Sequence, residues 1–173
     1  MKKIAIIYKS KYGATKQYAE WIAEALNAEL LEASSIKPAQ LLAYDVVIYG
    51  GGLYANSING VKLVADNSCK SLVVFTVGLT DPQTTDYTTM LAKTFKPERL
   101  AQIKVFHLRG SSDYEKLSFV HKGIISMVRK SGEKKAPAER TSEEQIALEA
   151  YGKKVDFTDQ QAIVPLVEYV RAL

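Results

Sequence analysis

One cysteine, Cys69, stands among the 173 residues, which excludes an internal disulfide and any cysteine cluster for zinc or iron and sulfur. A partly buried thiol is its expected state. Only two histidines occur, His107 at the end of an apolar run and His121 further on, and neither has a partner at a meaningful spacing. Both read as structural or surface residues, and no catalytic side chain and no metal site is assigned. No apolar run approaches the roughly 18 residues of a membrane span, and Met1-Lys2-Lys3 leads directly into a short strand-like run instead of a signal peptide's longer apolar core. A cytoplasmic protein is the expectation. Charge of one sign is also scarce: the net charge is +4, with local concentrations of cations at Lys2 to Lys11 and at Lys116 to Lys135. That is too weak a signal to expect nucleic acid as a partner, and it equally suits an anionic cofactor, an acidic protein or an anionic membrane face.

What is present is a regular alternation. Lys3 to Tyr8 is continuously apolar after its lysine, too short for a core helix and rich in β-branched residues, so it reads as a strand buried on both faces. Tyr44 to Tyr49, Ser71 to Val77 and Ile103 to Leu108 repeat the pattern, and Glu29 to Ala33 is a weaker candidate. Between them lie helical patterns, clearest over Ala14 to Asn27, where Ala19, Ile22, Ala23 and Leu26 recur at spacings of three and four. Further helices are expected over Asp86 to Phe95, Tyr114 to Lys130 and Gln160 to Leu173. The last follows Thr158-Asp159-Gln160-Gln161, which has the form of a capping box, and contains Pro165, which calls for a kink or a late start.

Strands alternating with helices require parallel βαβ units with right-handed crossovers. The expected fold class is therefore α/β, a doubly wound five-stranded parallel sheet of order 2-1-3-4-5 with helices on both faces. Residues 1–173 are read as a single domain, with a long excursion at about 110–157 between the fifth strand and the closing helix. Within it, Ser131 to Gln145 is polar, mixed in charge and without apolar periodicity, and reads as a solvated loop or mobile segment. The apolar residues Leu117, Val120, Ile124, Ile125 and Val128 of the preceding helix read as a core-facing stripe.

Ligands of such a sheet bind beyond the carboxyl ends of the strands, near the point where strand order reverses. The loop after the first strand is Ser10-Lys11-Tyr12-Gly13-Ala14-Thr15, and it runs straight into the first helix. Backbone N–H groups and the helix dipole favour an anion there, with hydroxyls from Ser10 and Thr15, close approach at Gly13 and positive charge from Lys11. The loop lacks both Gly-x-Gly-x-x-Gly and Gly-Lys-Ser/Thr. It also lacks the acidic residues with which a receiver domain of the same strand order holds a metal, since Lys9, Ser10 and Lys11 stand there. After the third strand, Gly50-Gly51-Gly52-Leu53-Tyr54-Ala55-Asn56 frees the backbone to approach a flat ring and offers the face of Tyr54. After the fourth, Val77-Gly78-Leu79 brings another glycine and an apolar wall.

Taken together, Ser10 to Thr15 resembles the flavodoxin phosphate motif, Thr/Ser-x-Thr-Gly-x-Thr, and the order of elements is similar along essentially the whole chain. Tyr12 stands where the motif has a hydroxyl residue. The resemblance implies FMN as cofactor, with phosphate contacts from Ser10, Lys11, Tyr12, Gly13, Ala14 and Thr15. It implies ring contacts from Gly51, Gly52, Leu53, Tyr54, Ala55, Thr76, Val77, Gly78 and Leu79. It also implies electron transfer, with redox proteins as partners. Typical electron-carrying flavodoxins are acidic and this chain is basic. Its long excursion is similar to that of the branch containing menaquinone-dependent protoporphyrinogen oxidase, which implies as an alternative an FMN-dependent oxidoreductase acting on a quinone or porphyrinogen. For such an enzyme the basic helix from Tyr114 to Lys135 would suit peripheral contact with an anionic membrane. A non-redox domain binding another phosphate ligand or a protein is the remaining reading.

Overall fold

The apolar runs form strands because each alternates its side chains between two buried faces. In β1 (Ile4–Lys9), Ala5 and Ile7 enter one core and Ile6 the other. Helix α1 (Ala14–Leu26) follows, then β2 (Glu29–Glu32) and β3 (Val46–Tyr54), in which Val46 and Ile48 face one core and Val47 and Tyr49 the other. Next come a two-residue strand, β4 (Ser57–Ile58), one turn of helix, α2 (Lys62–Ala65), and β5 (Leu72–Gly78). Short helices α3 (Thr88–Thr94) and α4 (Pro97–Leu100) precede β6 (Lys104–Arg109). The remainder is β7 (Ser111–Asp113), α5 (Phe119–Glu133), α6 (Ser142–Ala150), β8 (Lys154–Asp156) and α7 (Val164–Ala172).

These elements come from a computed structural model describing residues 1–173, and they fall into two compact units. The first comprises Met1–Gly78, Tyr87–Leu108 and Asp159–Leu173; the second comprises Leu79–Asp86 and Arg109–Thr158. In the first, the main sheet runs β2-β1-β3-β5-β6, with β4 antiparallel to the end of β3. Counting the long strands alone, this is the expected order 2-1-3-4-5. Helices α1 and α7 cover one face through Tyr18, Ile22, Leu166 and Val170. The other face is covered by the segment around Leu41 and Tyr44, by Val64 of α2 and by Met90 of α3. Residues whose side chains are sealed in this way account for the uninterrupted apolar runs.

In the second unit, β7 and β8 pair as an antiparallel ribbon, and α5 packs on α6. Here the sequence expectation fails. Ser131 to Gln145 is not a solvated loop: α5 continues to Glu133, a 3-10 turn spans Pro137–Glu139 and α6 begins at Ser142. Part of its charge is consumed internally, while Lys134, Glu139 and Glu143 stay exposed. Glu144 is buried, accepting hydrogen bonds from Ser131 Oγ at 2.7 Å, Thr141 N–H at 2.9 Å and Lys135 Nζ at 3.1 Å. The Thr141 hydroxyl accepts in return from Glu144 N–H, completing a capping box that the spacing Thr141-x-x-Glu144 spells out. Val120, expected in a core-facing stripe, is instead 68% exposed.

Two smaller corrections concern helix ends. The cap before the last helix is Asp159, whose carboxylate accepts from Gln161 N–H, whereas the Thr158 hydroxyl donates to Asp156. The helical pattern from Tyr114 is broken into a 3-10 turn, Tyr114–Lys116, and α5, which starts at Phe119 with the Ser118 hydroxyl as its cap. The late start at Pro165 is found: a 3-10 turn covers Gln160–Ile163 and α7 opens with the proline in its first turn, where its missing N–H costs nothing.

Candidate functional site

Three segments of the first unit meet at the carboxyl end of the sheet. The first is the turn from β1 into α1. Gly13 holds φ at +106°, open space lies where a β-carbon would be, and its N–H donates to Ser10 Oγ at 3.1 Å. Ser10 therefore accepts from the turn and retains its hydroxyl proton for another acceptor. Helix α1 has no side-chain cap and no acidic residue in its first turn, so its leading N–H groups and the positive end of its dipole face outward uncompensated. Thr15, in that first turn, is 3% exposed. An oxyanion fits this arrangement: backbone donors, two hydroxyls, the ammonium groups of Lys11 and Lys16, and no carboxylate on the turn.

The second segment corrects the picture of a glycine loop. Gly50, Gly51 and Gly52 are not beyond β3 but inside it, registered with Phe75, Thr76 and Val77 of β5. Each glycine makes room for a neighbour. A β-carbon on Gly50 would lie 2.0 Å from Phe75 Cζ, one on Gly51 would lie 2.6 Å from Ile58 Cγ2, and one on Gly52 would lie 2.9 Å from the Tyr54 ring. The strand therefore runs on to Tyr54, and the reversal into β4 is a two-residue turn at Ala55 and Asn56, with φ of 47° and 58°. Tyr54 stands edge to face with Tyr12 of the first turn, ring centroids 6.0 Å apart. Burial, and secondarily Tyr12, pushes the Tyr54 phenol up to about 12. It is a neutral aromatic surface at any physiological pH.

The third segment is the end of β5. Gly78 lies against Leu53, 3.2 Å from Leu53 Cδ1 to a β-carbon position. Thr76 and Val77 are buried within the sheet, and the Thr76 hydroxyl is committed to His107 Nδ1 at 2.6 Å. Leu79 belongs to the second unit, where its carbonyl accepts two hydrogen bonds from Arg109 at 2.9 and 3.0 Å. Of the residues expected around a ring, Leu53, Tyr54, Ala55 and Gly78 are thus partly or wholly exposed, while Gly51, Gly52, Thr76 and Val77 lie inside the sheet.

The sequence reading did not reach the cluster of Thr76, His107 and Tyr87. The His107 ring stacks on Tyr87 with centroids 3.6 Å apart and planes 12° apart, and burial lowers its pKa to about 4. Nothing in local spacing announces a contact between residues so far apart in the chain.

The model of the family described as "Flavodoxin domain" matches residues 5–139. The chain belongs to the flavodoxin family. Its fold is flavodoxin-like, with a parallel central sheet carrying the order found above. No curated protein matches this flavodoxin-family chain. Among solved structures it is similar to oxidised flavodoxin 2 from Bacillus cereus, at 22% identity and TM-score 0.48, over 62% of this chain and 84% of that one. A flavodoxin, WrbA-like protein from Agrobacterium tumefaciens is 19% identical over 60% of this chain and 76% of its own, at TM-score 0.44. A flavoprotein in complex with FMN from Lactobacillus acidophilus NCFM is 18% identical over 63% of this chain and 93% of its own, at TM-score 0.42.

Proposed function

We propose that this flavodoxin-family protein binds FMN at the carboxyl end of its sheet and acts in electron transfer. One observation carries the reading: an uncapped, acid-free helix N-terminus behind Gly13, with the aromatic pair Tyr12 and Tyr54 beside it. The family supports FMN, and these residues fit it. The N–H groups at the start of α1 and the hydroxyls of Ser10 and Thr15 would hold the phosphate, with Lys11 balancing its charge. Tyr54, braced by Tyr12, would meet the ring, with Leu53 and Gly78 beside it. When bound, FMN supplies one- and two-electron chemistry, so the chain needs no nucleophile or acid/base pair of its own. The chain's own residues would anchor the cofactor at the turn after β1 and cover its ring with Tyr54. Tyr54, half-buried and with its phenol pushed up to about 12, would present a neutral aromatic surface to the ring.

The second reading, an FMN-dependent oxidoreductase acting on a quinone or porphyrinogen, is favoured by the second unit with its exposed apolar helix. Both readings place the protein in the cytoplasm. A quinone that reoxidises the reduced protein in repeated turnovers would favour the enzyme, and transfer only to a redox protein would favour the carrier.

The deciding test is the absorbance spectrum after mixing with FMN and removing the excess, with riboflavin as the control lacking a phosphate. Perturbed flavin bands are expected to remain with FMN and not with riboflavin. Ser10→Ala combined with Thr15→Val removes two hydroxyl contacts to a charged group, each contributing about 1.5–3 kcal/mol, so FMN affinity should fall by at least about a hundredfold. Unchanged FMN affinity in that variant would move the phosphate elsewhere and end the proposal.

A further inference from the structure

Helix α5 is uniform in charge along most of its length. From Lys116 to Gly132 the chain has no acidic residue, while Lys116, Lys122, Arg129 and Lys130 are cationic, and Lys134 and Lys135 follow. One side of the helix is fully engaged. Arg129 stacks over the Tyr151 ring at 4.0 Å and pairs with Glu133 at 3.3 Å. Lys122 Nζ donates to the Glu115 carbonyl at 3.2 Å and lies over Tyr114, and Gly132 packs against Glu144 and Leu148.

The opposite side has no partner. Phe119 is 93% exposed, Val120 68% and Met127 66%. Phe119, Gly123, Met127, Lys130 and Lys134 follow one another at spacings of four, four, three and four, so they share one stripe, with Val120 at its border. A β-carbon on Gly123 would meet nothing within 4 Å, so the stripe is open along its middle as well. An isolated exposed phenylalanine calls for no explanation, but three large apolar side chains on one helical face do, with exposed Lys130 and Lys134 at one end and Lys116, paired with Asp113 at 3.7 Å, just before the other.

From this we infer that α5 is a docking surface for an anionic phospholipid bilayer, lying flat on it with Phe119, Val120 and Met127 inserted between headgroups and Lys116, Lys130 and Lys134 against lipid phosphates. Charge complementarity selects this occupant. A second copy of the chain would bring the same lysines onto themselves, whereas an anionic surface attracts them and accepts the apolar centre. The helix has 15 residues, and no helix of the protein is long and apolar enough to cross a membrane, so the contact is interfacial. The inference is independent of the FMN reading: failure to retain FMN would leave it standing, and failure of the lipid test would leave the FMN site standing.

The test is co-sedimentation of the whole 173-residue chain, treated with FMN, with sucrose-loaded vesicles, made either of equal parts phosphatidylglycerol and phosphatidylcholine or of phosphatidylcholine alone. Binding to the mixed vesicles should be at least about tenfold tighter and should weaken with added salt. Phe119→Ser combined with Met127→Ser should lower it at least about tenfold, since the transfer of two large apolar groups is lost. Lys130→Glu combined with Lys134→Glu should abolish the preference for phosphatidylglycerol. All four positions are exposed, so each variant should keep the wild-type circular dichroism and melting temperature. Wild-type protein left in the supernatant at every lipid concentration, or a Phe119→Ser, Met127→Ser double variant that binds as well as wild type, overturns the inference. So would a stable dimer by light scattering that this double variant splits, since the stripe would then belong to a second copy.

Discussion

At the scale of single residues, His107 shows how burial sets a protonation state. Its Nδ1 lies 2.6 Å from the Thr76 hydroxyl and its ring is covered by Tyr87. Desolvation disfavours the imidazolium and lowers its pKa to about 4. The folded value is below the unfolded one, so on acidification the unfolded chain takes the proton first. The stability His107 contributes is fully present above about pH 6.5 and is lost as pH falls towards about 4. In an NMR titration its ring signals should stay flat from about pH 7 to about pH 5, where an ordinary imidazole with a pKa near 6.5 changes most. A midpoint near 6.5 would mean that the ring is solvated and the Thr76 contact is not maintained. Thr76, two strands across from the phosphate turn, is thereby a support for the end of β5 and not a free hydroxyl for the ring.

Among the elements, β3 is the one whose form decides the site. Its glycines let neighbouring side chains occupy the space that their own would take, and the strand stays paired as far as Tyr54. Gly50→Ala should therefore destabilise by about 1–3 kcal/mol in urea unfolding, the cost of an extra methyl in a filled core. Phe75→Leu in the same chain should recover part of that loss, because the two sites share one volume and their effects will not add. Additive losses would show that the glycine serves the backbone and not Phe75. The turn after β1 is the contrasting case, with open space at Gly13 and a left-handed φ that a side chain would strain. The first glycines accommodate the protein itself, and Gly13 leaves room for something else.

For the whole molecule, acid should be the sensitive direction. Lys135, Thr141 N–H and Ser131, in that order, hold the Glu144 carboxyl down to about 2. The folded pKa is the lower one, so this stabilisation is present above about pH 4.5 and is lost as pH falls towards about 2, below the range in which His107 acts. Glu144→Gln should lower the melting temperature at neutral pH, and the gap to wild type should close between about pH 4.5 and about pH 2. A gap that persists unchanged at the acid end would mean that shape rather than charge holds α5 on α6.

These particulars also separate what was legible in the chain from what was not. The parallel strands, their order and the turn Ser10 to Thr15 leading into α1 could be read from sequence, because apolar runs, helical spacing and a turn before a helix are local patterns. The glycines of β3 were misplaced beyond the strand because their reason lies in Phe75 and Ile58, side chains that only sheet register brings over them. Residues 131–145 looked like a loop because their charges were visible and the pairing of Glu144 with Lys135 and Ser131 was not. The sequence by itself determined the long parallel strands, their order and the open turn before α1. The tertiary structure alone decided which polar groups are consumed inside, as Thr76 and Glu144 are, and which apolar groups stay outside, as Phe119 and Met127 do. Pairing and burial depend on neighbours distant in the chain, and no local spacing encodes them.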